Sequence, residues 1–129
     1  MQKTARAVLV VEDDEPTCAL LSAIVTRNGF VPVEARDGKV ALTLLDAAFF
    51  DAVLLDLLLP EISGVEILAH LHARTPDVLK RVVVVTAALE PEWLTRMEVQ
   101  RARCVIRKPF NVEDLEREML ACCEAKIPR

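Results

Sequence analysis

Carboxylate side chains stand directly after two of the most apolar segments of this 129-residue chain. The acidic run Glu12–Glu15 follows Ala7–Val11, and Asp56 follows Ala52–Leu55. Carboxylates that are brought together repel one another and favour the binding of a divalent cation. Because the chain offers hard oxygen ligands here and no set of Cys or His, Mg²⁺ that keeps several waters fits such a site better than Zn²⁺.

A hydroxyl group and an ammonium group occupy corresponding places later in the chain. Thr86 ends a run of four valines, and Lys108 comes shortly after Cys104–Ile106. A lysine beside carboxylates can pair with a phosphate oxygen, and a threonine hydroxyl can add a hydrogen bond. Together these groups would suit an incoming phosphoryl group, with Asp56 as a possible nucleophile.

These residues can meet only if the apolar segments that precede them are strands of one sheet. Five short apolar runs alternate with five helical patterns, which predicts a parallel sheet with helices on both faces. The carboxyl ends of such strands lie at one edge, where the functional residues of open α/β sheets collect. The sequence therefore predicts a three-layer α/β/α domain that brings the chemical groups together.

The predicted helices differ in the quality of their apolar stripes. The first carries four aliphatic side chains at helical spacing, namely Leu20, Leu21, Ile24 and Val25. The fourth, predicted over Pro91–Gln100, has only a thin stripe. Ser63 and Glu66 have the spacing of a capping box, which predicts the start of the third helix.

The overall composition is that of one globular domain. The chain is 53% hydrophobic and 28% charged, and its formal net charge is −4. That charge argues against binding nucleic acid or an anionic membrane by bulk attraction, and no segment is apolar for long enough to predict a membrane span. The four cysteines form no C-x-x-C pair, so we expect buried or half-buried thiols and a reducing, cytoplasmic setting.

Each candidate residue also has an ordinary structural explanation. An acidic run is commonly a solvated helix N-terminus that complements the helix dipole. Thr86 would serve as a good strand former, and Lys108 would serve as a loop cation. Asp56 is harder to explain in this way, because a carboxylate at the end of a buried strand is costly unless it is paired.

Four motifs resemble those of the response regulator receiver domains of two-component signalling. In the family's order and at its intervals they are Val10–Pro16, Asp56–Pro60 with Gly64, Val85–Ala87 and Lys108–Phe110. The resemblance covers nearly the whole chain and implies a flavodoxin-like fold with strand order 2-1-3-4-5. It also implies a receiver domain over residues 5–125, with terminal extensions at 1–4 and 126–129.

The resemblance implies how the phosphoryl group would be handled. Asp56 would accept it from a histidine kinase or a histidine phosphotransfer protein, Thr86 would bond the arriving phosphate, and Lys108 would pair with it. The domain would then switch a face that binds an unknown downstream protein. It would make no contact with nucleic acid or membrane itself, and a homodimer is one possible assembly.

The resemblance also implies a set of Mg²⁺ ligands. The side chains of Asp13 and Asp56 and the backbone carbonyl of Leu58 would bind the ion, and Glu12 would act through a metal-bound water. The acidic run leaves the register open by one residue. We favour Glu12 and Asp13 over Asp13 and Asp14 because they directly follow the strand.

The chain departs from the family around the switch. Val105 stands where the family usually has Phe or Tyr, and a valine cannot report the switch by ring rotation. Leu58 and Ala88, two residues after Asp56 and Thr86, are apolar and cannot orient an attacking water. We therefore expect a long-lived phosphoryl group.

Two other functions are compatible with the sequence. A phosphorylation-independent, receiver-like interaction module would keep only the fold, and Val105 leaves room for that interpretation. An aspartate-nucleophile phosphohydrolase would need a second acid where the chain has Leu58. We expect a signalling domain that catalyses only its own phosphorylation and dephosphorylation, and that acts through another chain or is a fragment of a longer one.

Overall fold

The computed structural model describes residues 6–88 and 90–125 of the chain. A five-stranded parallel sheet has the order β2-β1-β3-β4-β5. Its strands are β1 (Ala7–Val11), β2 (Val31–Ala35), β3 (Ala52–Leu55), β4 (Val82–Thr86) and β5 (Cys104–Arg107). The predicted fold class and strand order are confirmed. The predicted extensions at 1–4 and 126–129 lie outside the described residues, and the boundary at residue 5 does as well.

Helices connect the strands and cover both faces of the sheet. They are α1 (Glu15–Arg27), α2 (Gly38–Ala47), α3 (Gly64–Arg74), α4 (Pro91–Leu94), α5 (Met97–Arg101) and α6 (Val112–Ala125), with a 3-10 helix at Pro76–Arg81. The described part of the chain thus holds six α-helices where five were predicted. The capping box at Ser63 and Glu66 is confirmed, with both of its hydrogen bonds present.

The sheet separates two hydrophobic clusters, because successive side chains of a strand point to opposite faces. Leu9 and Leu68 belong to the cluster under α2, α3 and α5. Val8, Leu21 and Met119 belong to the cluster under α1 and α6. Strands β3 and β4 are buried along their whole length, which is why they appear in the sequence as continuous aliphatic runs.

The single helix predicted over Pro91–Gln100 is wrong, because this segment forms the two short helices α4 and α5. Arg96, which lies between them, has extended backbone angles (φ −62°, ψ 136°). Helix α4 buries none of its residues and α5 buries only Val99. Since most helical stability in proteins comes from packing an apolar face, this thin stripe does not support a continuous helix.

The predicted position of Leu20 in the apolar stripe of α1 is also wrong. Leu20 is 47% exposed, whereas Cys18 is fully buried. The buried residues Cys18, Leu21 and Val25 follow one face of the helix, and Leu20 falls beyond the edge of that face. Cys18 therefore packs in the core as a small hydrophobic residue.

Candidate functional site

The carboxyl ends of β1, β3, β4 and β5 meet at one edge of the sheet. The backbone N–H of Asp56 donates to the carbonyl of Val11 at 3.1 Å, which ties the end of β3 to the end of β1. The backbone N–H of Lys108 donates to the carbonyl of Thr86 at 3.0 Å, which ties the end of β5 to that of β4. The topology thus brings the predicted groups to one place from distant parts of the sequence.

Asp56 lies at the centre of the site formed at this edge of the sheet and is only 5% exposed. Its Oδ1 accepts hydrogen bonds from the hydroxyl of Thr86 at 2.7 Å and from the backbone N–H of Leu58 at 3.0 Å. Its Oδ2 accepts a charged hydrogen bond from Lys108 at 2.9 Å. A buried carboxylate is costly unless it is hydrogen-bonded, and these three donors satisfy Asp56 and fix its orientation.

Lys108 lies between two carboxylates. Its Nζ is 2.7 Å from Oε1 of Glu12 and 2.9 Å from Oδ2 of Asp56. Burial lowers the pKa of Lys108, but its hydrogen bonds to Glu12 and Asp56 outweigh that effect and leave the pKa raised. Burial raises the pKa of Glu12, although the hydrogen bond from Lys108 opposes the change. The ammonium group therefore stays charged and offsets part of the negative charge of the site.

An acidic cluster is formed by Glu12, Asp13 and Asp56, whose carboxylate oxygens lie within 4.8 Å of one another. Glu12 and Asp56 are buried and Asp13 is exposed, so the cluster faces solvent through Asp13. Asp14 instead caps α1, where its side chain accepts a hydrogen bond from the N–H of Thr17 at 3.1 Å. This arrangement favours the pair Glu12 and Asp13, and the oxygen-only donor set fits Mg²⁺.

Thr86 is fully buried and its hydroxyl already points to the carboxylate. The hydroxyl donates to Asp56 and accepts a hydrogen bond from the N–H of Ala88 at 3.0 Å. Val105 lies two strand positions before Arg107 on β5 and is 38% exposed. The threonine is therefore held in the site by its own loop, and Val105 presents a small aliphatic side chain to the surface.

The two side chains that were predicted to be unable to orient an attacking water, Leu58 and Ala88, are apolar. Leu58 is 49% exposed and Ala88 is 2% exposed. Sequence reasoning assigned Leu58 only a carbonyl ligand and missed its N–H, which is bonded to Asp56. It also missed that Gly38 and Gly64 touch the backbone of the loop after β3. The chain has only three glycines, and that scarcity is a signal that could have drawn attention to them.

Comparison with protein families decides what kind of domain this is. A family model described as the response regulator receiver domain matches residues 8–120. The chain belongs to this family. Receiver domains are phosphoacceptors that bind Mg²⁺ at an acidic pocket, and response regulators work between histidine kinases and downstream effectors. Among the described residues, no helix is both long and apolar enough to cross a bilayer.

The receiver domain is similar to longer regulators over only part of their length. The phosphate regulon transcriptional regulatory protein PhoB of Escherichia coli is 38% identical over 113 residues, which are 86% of this chain and 48% of that protein. The sensory transduction protein RegX3 of Mycobacterium tuberculosis is 34% identical over 110 residues, which are 84% of this chain and 47% of that protein. The chain thus spans about half the length of these relatives.

Solved receiver structures share the fold of this domain. A CheY-like response regulator receiver domain protein from Methanospirillum hungatei has a TM-score of 0.85 and 24% identity, covering 95% of this chain and 96% of that chain. The response regulator TrrA from Thermotoga maritima, in complex with Mg(2+)-BeF, has a TM-score of 0.80 and 24% identity, covering 91% of this chain and 98% of that chain. At these identities the likeness shows the fold alone.

Proposed function

We propose that this receiver domain accepts a phosphoryl group on Asp56 from a phosphohistidine of a histidine kinase or a histidine phosphotransfer protein. The observation that carries the proposal is the buried Asp56 carboxylate, oriented by three donors and flanked by Lys108 and an acidic cluster. An oxygen of Asp56 forms the new P–O bond. The P–N bond of the donor breaks, and its electron pair stays on the imidazole nitrogen.

Thr86 and Lys108 are placed to bind the transferred group. Both now donate to the carboxylate of Asp56. When that carboxylate becomes an acyl phosphate, its negative charge passes to the phosphoryl oxygens, to which the Lys108 ammonium and the Thr86 hydroxyl would then donate. Glu12, Asp13, Asp56 and the carbonyl of Leu58 would hold Mg²⁺, which when bound supplies positive charge for the phosphoryl oxygens.

The new charge would bias an equilibrium between two packings of the face formed by β5 and the last helices of the chain, α4, α5 and α6. The support for this choice is the weak packing of α4, which buries none of its residues. An unidentified downstream protein would read the face, and a homodimer is one form the readout could take. The proposed unit is residues 5–125, acting in the cytoplasm without contacting nucleic acid, and its only catalysis is of its own phosphorylation and dephosphorylation.

Incubation with acetyl phosphate and Mg²⁺, followed by intact mass spectrometry, tests the proposal. We expect one phosphoryl adduct on the wild-type chain and none on Asp56→Asn. Asp14→Asn is the matched control, because asparagine also caps helices well and Asp14 lies outside the acidic cluster; it should keep the adduct. Absence of an adduct on the wild type would favour a phosphorylation-independent module, and rapid multiple-turnover release of phosphate would favour a phosphohydrolase.

A further inference from the structure

The loop that carries the phosphoacceptor, residues 56–63, connects β3 to α3, and we call it the acceptor loop. Its backbone is folded back on itself, since the N–H of Ile62 donates to the carbonyl of Pro60 at 2.8 Å. Glu61, between these two residues, has a left-handed backbone with φ of 66°. The loop therefore turns sharply and brings the backbone of Ile62 towards the neighbouring helix α2.

The first residue of α2, Gly38, lies directly against Ile62. A Cβ atom at Gly38 would stand 2.3 Å from the carbonyl oxygen of Ile62 and 2.7 Å from its Cβ. The oxygen is a backbone atom and the Cβ is bonded directly to the backbone, so neither can move aside without moving the acceptor loop. Alanine is a better helix former than glycine, and Gly29 is the one glycine with a positive φ among the described residues. Close approach, rather than backbone conformation, therefore explains Gly38.

The acceptor loop meets a second glycine at its α3 end. A Cβ atom at Gly64 would stand 2.4 Å from the carbonyl oxygen of Asp56 and 2.6 Å from the Cα of Leu57. The N–H of Gly64 also donates to the carbonyl of Leu57 at 3.0 Å. Two of the three glycines of the chain thus lie against the backbone of the loop that holds Asp56.

We propose that Gly38 is a positioning residue for phosphoryl transfer. By letting the start of α2 seat against Ile62, it holds the acceptor loop in the conformation in which the N–H of Leu58 is bonded to Oδ1 of Asp56. A side chain at this position pushes the loop away from α2 and disturbs the orientation of the carboxylate. The role in transfer rests on the proposed function of Asp56, whereas the effect on the loop does not.

Gly38→Ala tests the proposal through two measurements. The rate of phosphorylation by acetyl phosphate should fall about tenfold or more, because misplacement of a reacting group by about 1 Å can cost ~10²-fold in rate. In the protein without Mg²⁺ or phosphodonor, the amide resonance of Leu58 should shift and its hydrogen exchange should become faster. Gly29→Ala is the control, since its φ of 89° makes alanine strained while nothing lies within 4 Å; it should lower stability and leave both measurements at wild-type values.

A second substitution at Ile62 separates local contact from general damage. Ile62→Gly removes the Cβ that lies 2.7 Å away, and the freer backbone of glycine lets the carbonyl that lies 2.3 Å away shift at less cost, so it should partly restore both measurements in the Gly38→Ala background. Ile62→Ala keeps the Cβ and should not restore them. If Gly38→Ala fails to fold, the same comparison is made on folding, and recovery with Ile62→Gly alone is the expected result.

Wild-type values of the Leu58 amide and of the phosphorylation rate in Gly38→Ala would overturn the proposal, as would equal effects of Gly29→Ala. Equal rescue by Ile62→Gly and Ile62→Ala would overturn it too. If the wild-type chain took up no phosphoryl group, the proposed function would fail, and the Leu58 amide would still decide whether Gly38 positions the loop.

Discussion

Asp56 accepts three hydrogen bonds although it stands at the end of a strand that is buried on both faces. Two of the donors, Thr86 and Lys108, are side chains that could be identified from their types and their places after apolar runs. The third donor is the backbone N–H of Leu58, and residue types alone do not predict such a contact. The sequence therefore indicated which side chains meet, whereas the orientation of the carboxylate depends on a loop conformation that only the structure displays.

At the scale of single residues, we predict that the phosphoryl group on Asp56 decays slowly when Mg²⁺ is present and no phosphatase is added. Leu58 is half exposed and apolar, and Ala88 is buried and apolar, so neither can orient an attacking water. Leu58→Asn should speed hydrolysis about tenfold, which is less than the ~10²–10⁴-fold typical of a full general base. Decay of the phosphorylated species in intact mass spectra measures the effect. Leu58→Met should match the wild type, and a wild type that decays as fast as Leu58→Asn contradicts the prediction.

At the scale of elements, the strands and the helices were predictable to different degrees. Strands such as β4 are buried aliphatic runs whose identity needs no knowledge of neighbours. The helix prediction over Pro91–Gln100 was wrong because its continuity depended on how much of its surface is packed, and no residue of α4 is fully buried. The prediction that Leu20 faces the core was wrong for a related reason, since a single residue at the edge of an apolar stripe can face either the core or solvent.

The contact between α1 and α6 leads to a prediction about pH. Arg27 and Asn28, at the end of α1, donate hydrogen bonds to Glu116 of α6 and lower its pKa, with Arg27 contributing most. A lowered pKa in the folded state means that this contact stabilises the fold above the unfolded pKa of about 4.3, and that the stabilisation is lost as pH falls through the folded value. We expect the free energy of unfolding of Glu116→Gln to lie below that of the wild type at pH 7.

That difference should shrink as the pH is lowered towards the folded pKa of Glu116. Urea unfolding at several pH values measures it. Arg27→Gln removes the other partner, and its loss of stability should show the same pH dependence because both variants break one ion pair. A difference that stays constant with pH would show that Glu116 acts by packing rather than by charge.

At the scale of the whole molecule, thiol reactivity reports on the integrity of the hydrophobic cluster under α1 and α6, to which Cys122 belongs and against which Cys104 packs. Burial raises the pKa of Cys104 to about 12 and that of Cys122 to about 11. Because the thiolate is the reactive form, both should react with iodoacetamide at pH 8 at least ~10²-fold more slowly than an ordinary cysteine with a pKa of about 8.5.

Peptide mapping by mass spectrometry, in buffer and in denaturing urea, measures these rates, and urea should restore ordinary reactivity. Cys104 is the sharper case, since it is only half-buried and reagent access alone would not protect it. Labelling of Cys104 in buffer at the rate seen in urea would contradict the raised pKa.

The ammonium group of Lys108 contacts Glu12 across 96 positions of the chain. Glu12 directly follows β1 and Lys108 directly follows β5, the first and the last strands of this sheet to be synthesised. A nascent chain that has made the loop of Asp56 but not yet β5 therefore lacks the cation beside the acceptor. The arrangement of Glu12, Asp56 and Lys108 is thus complete only after the last strand of the sheet has been made, so this site forms late in synthesis.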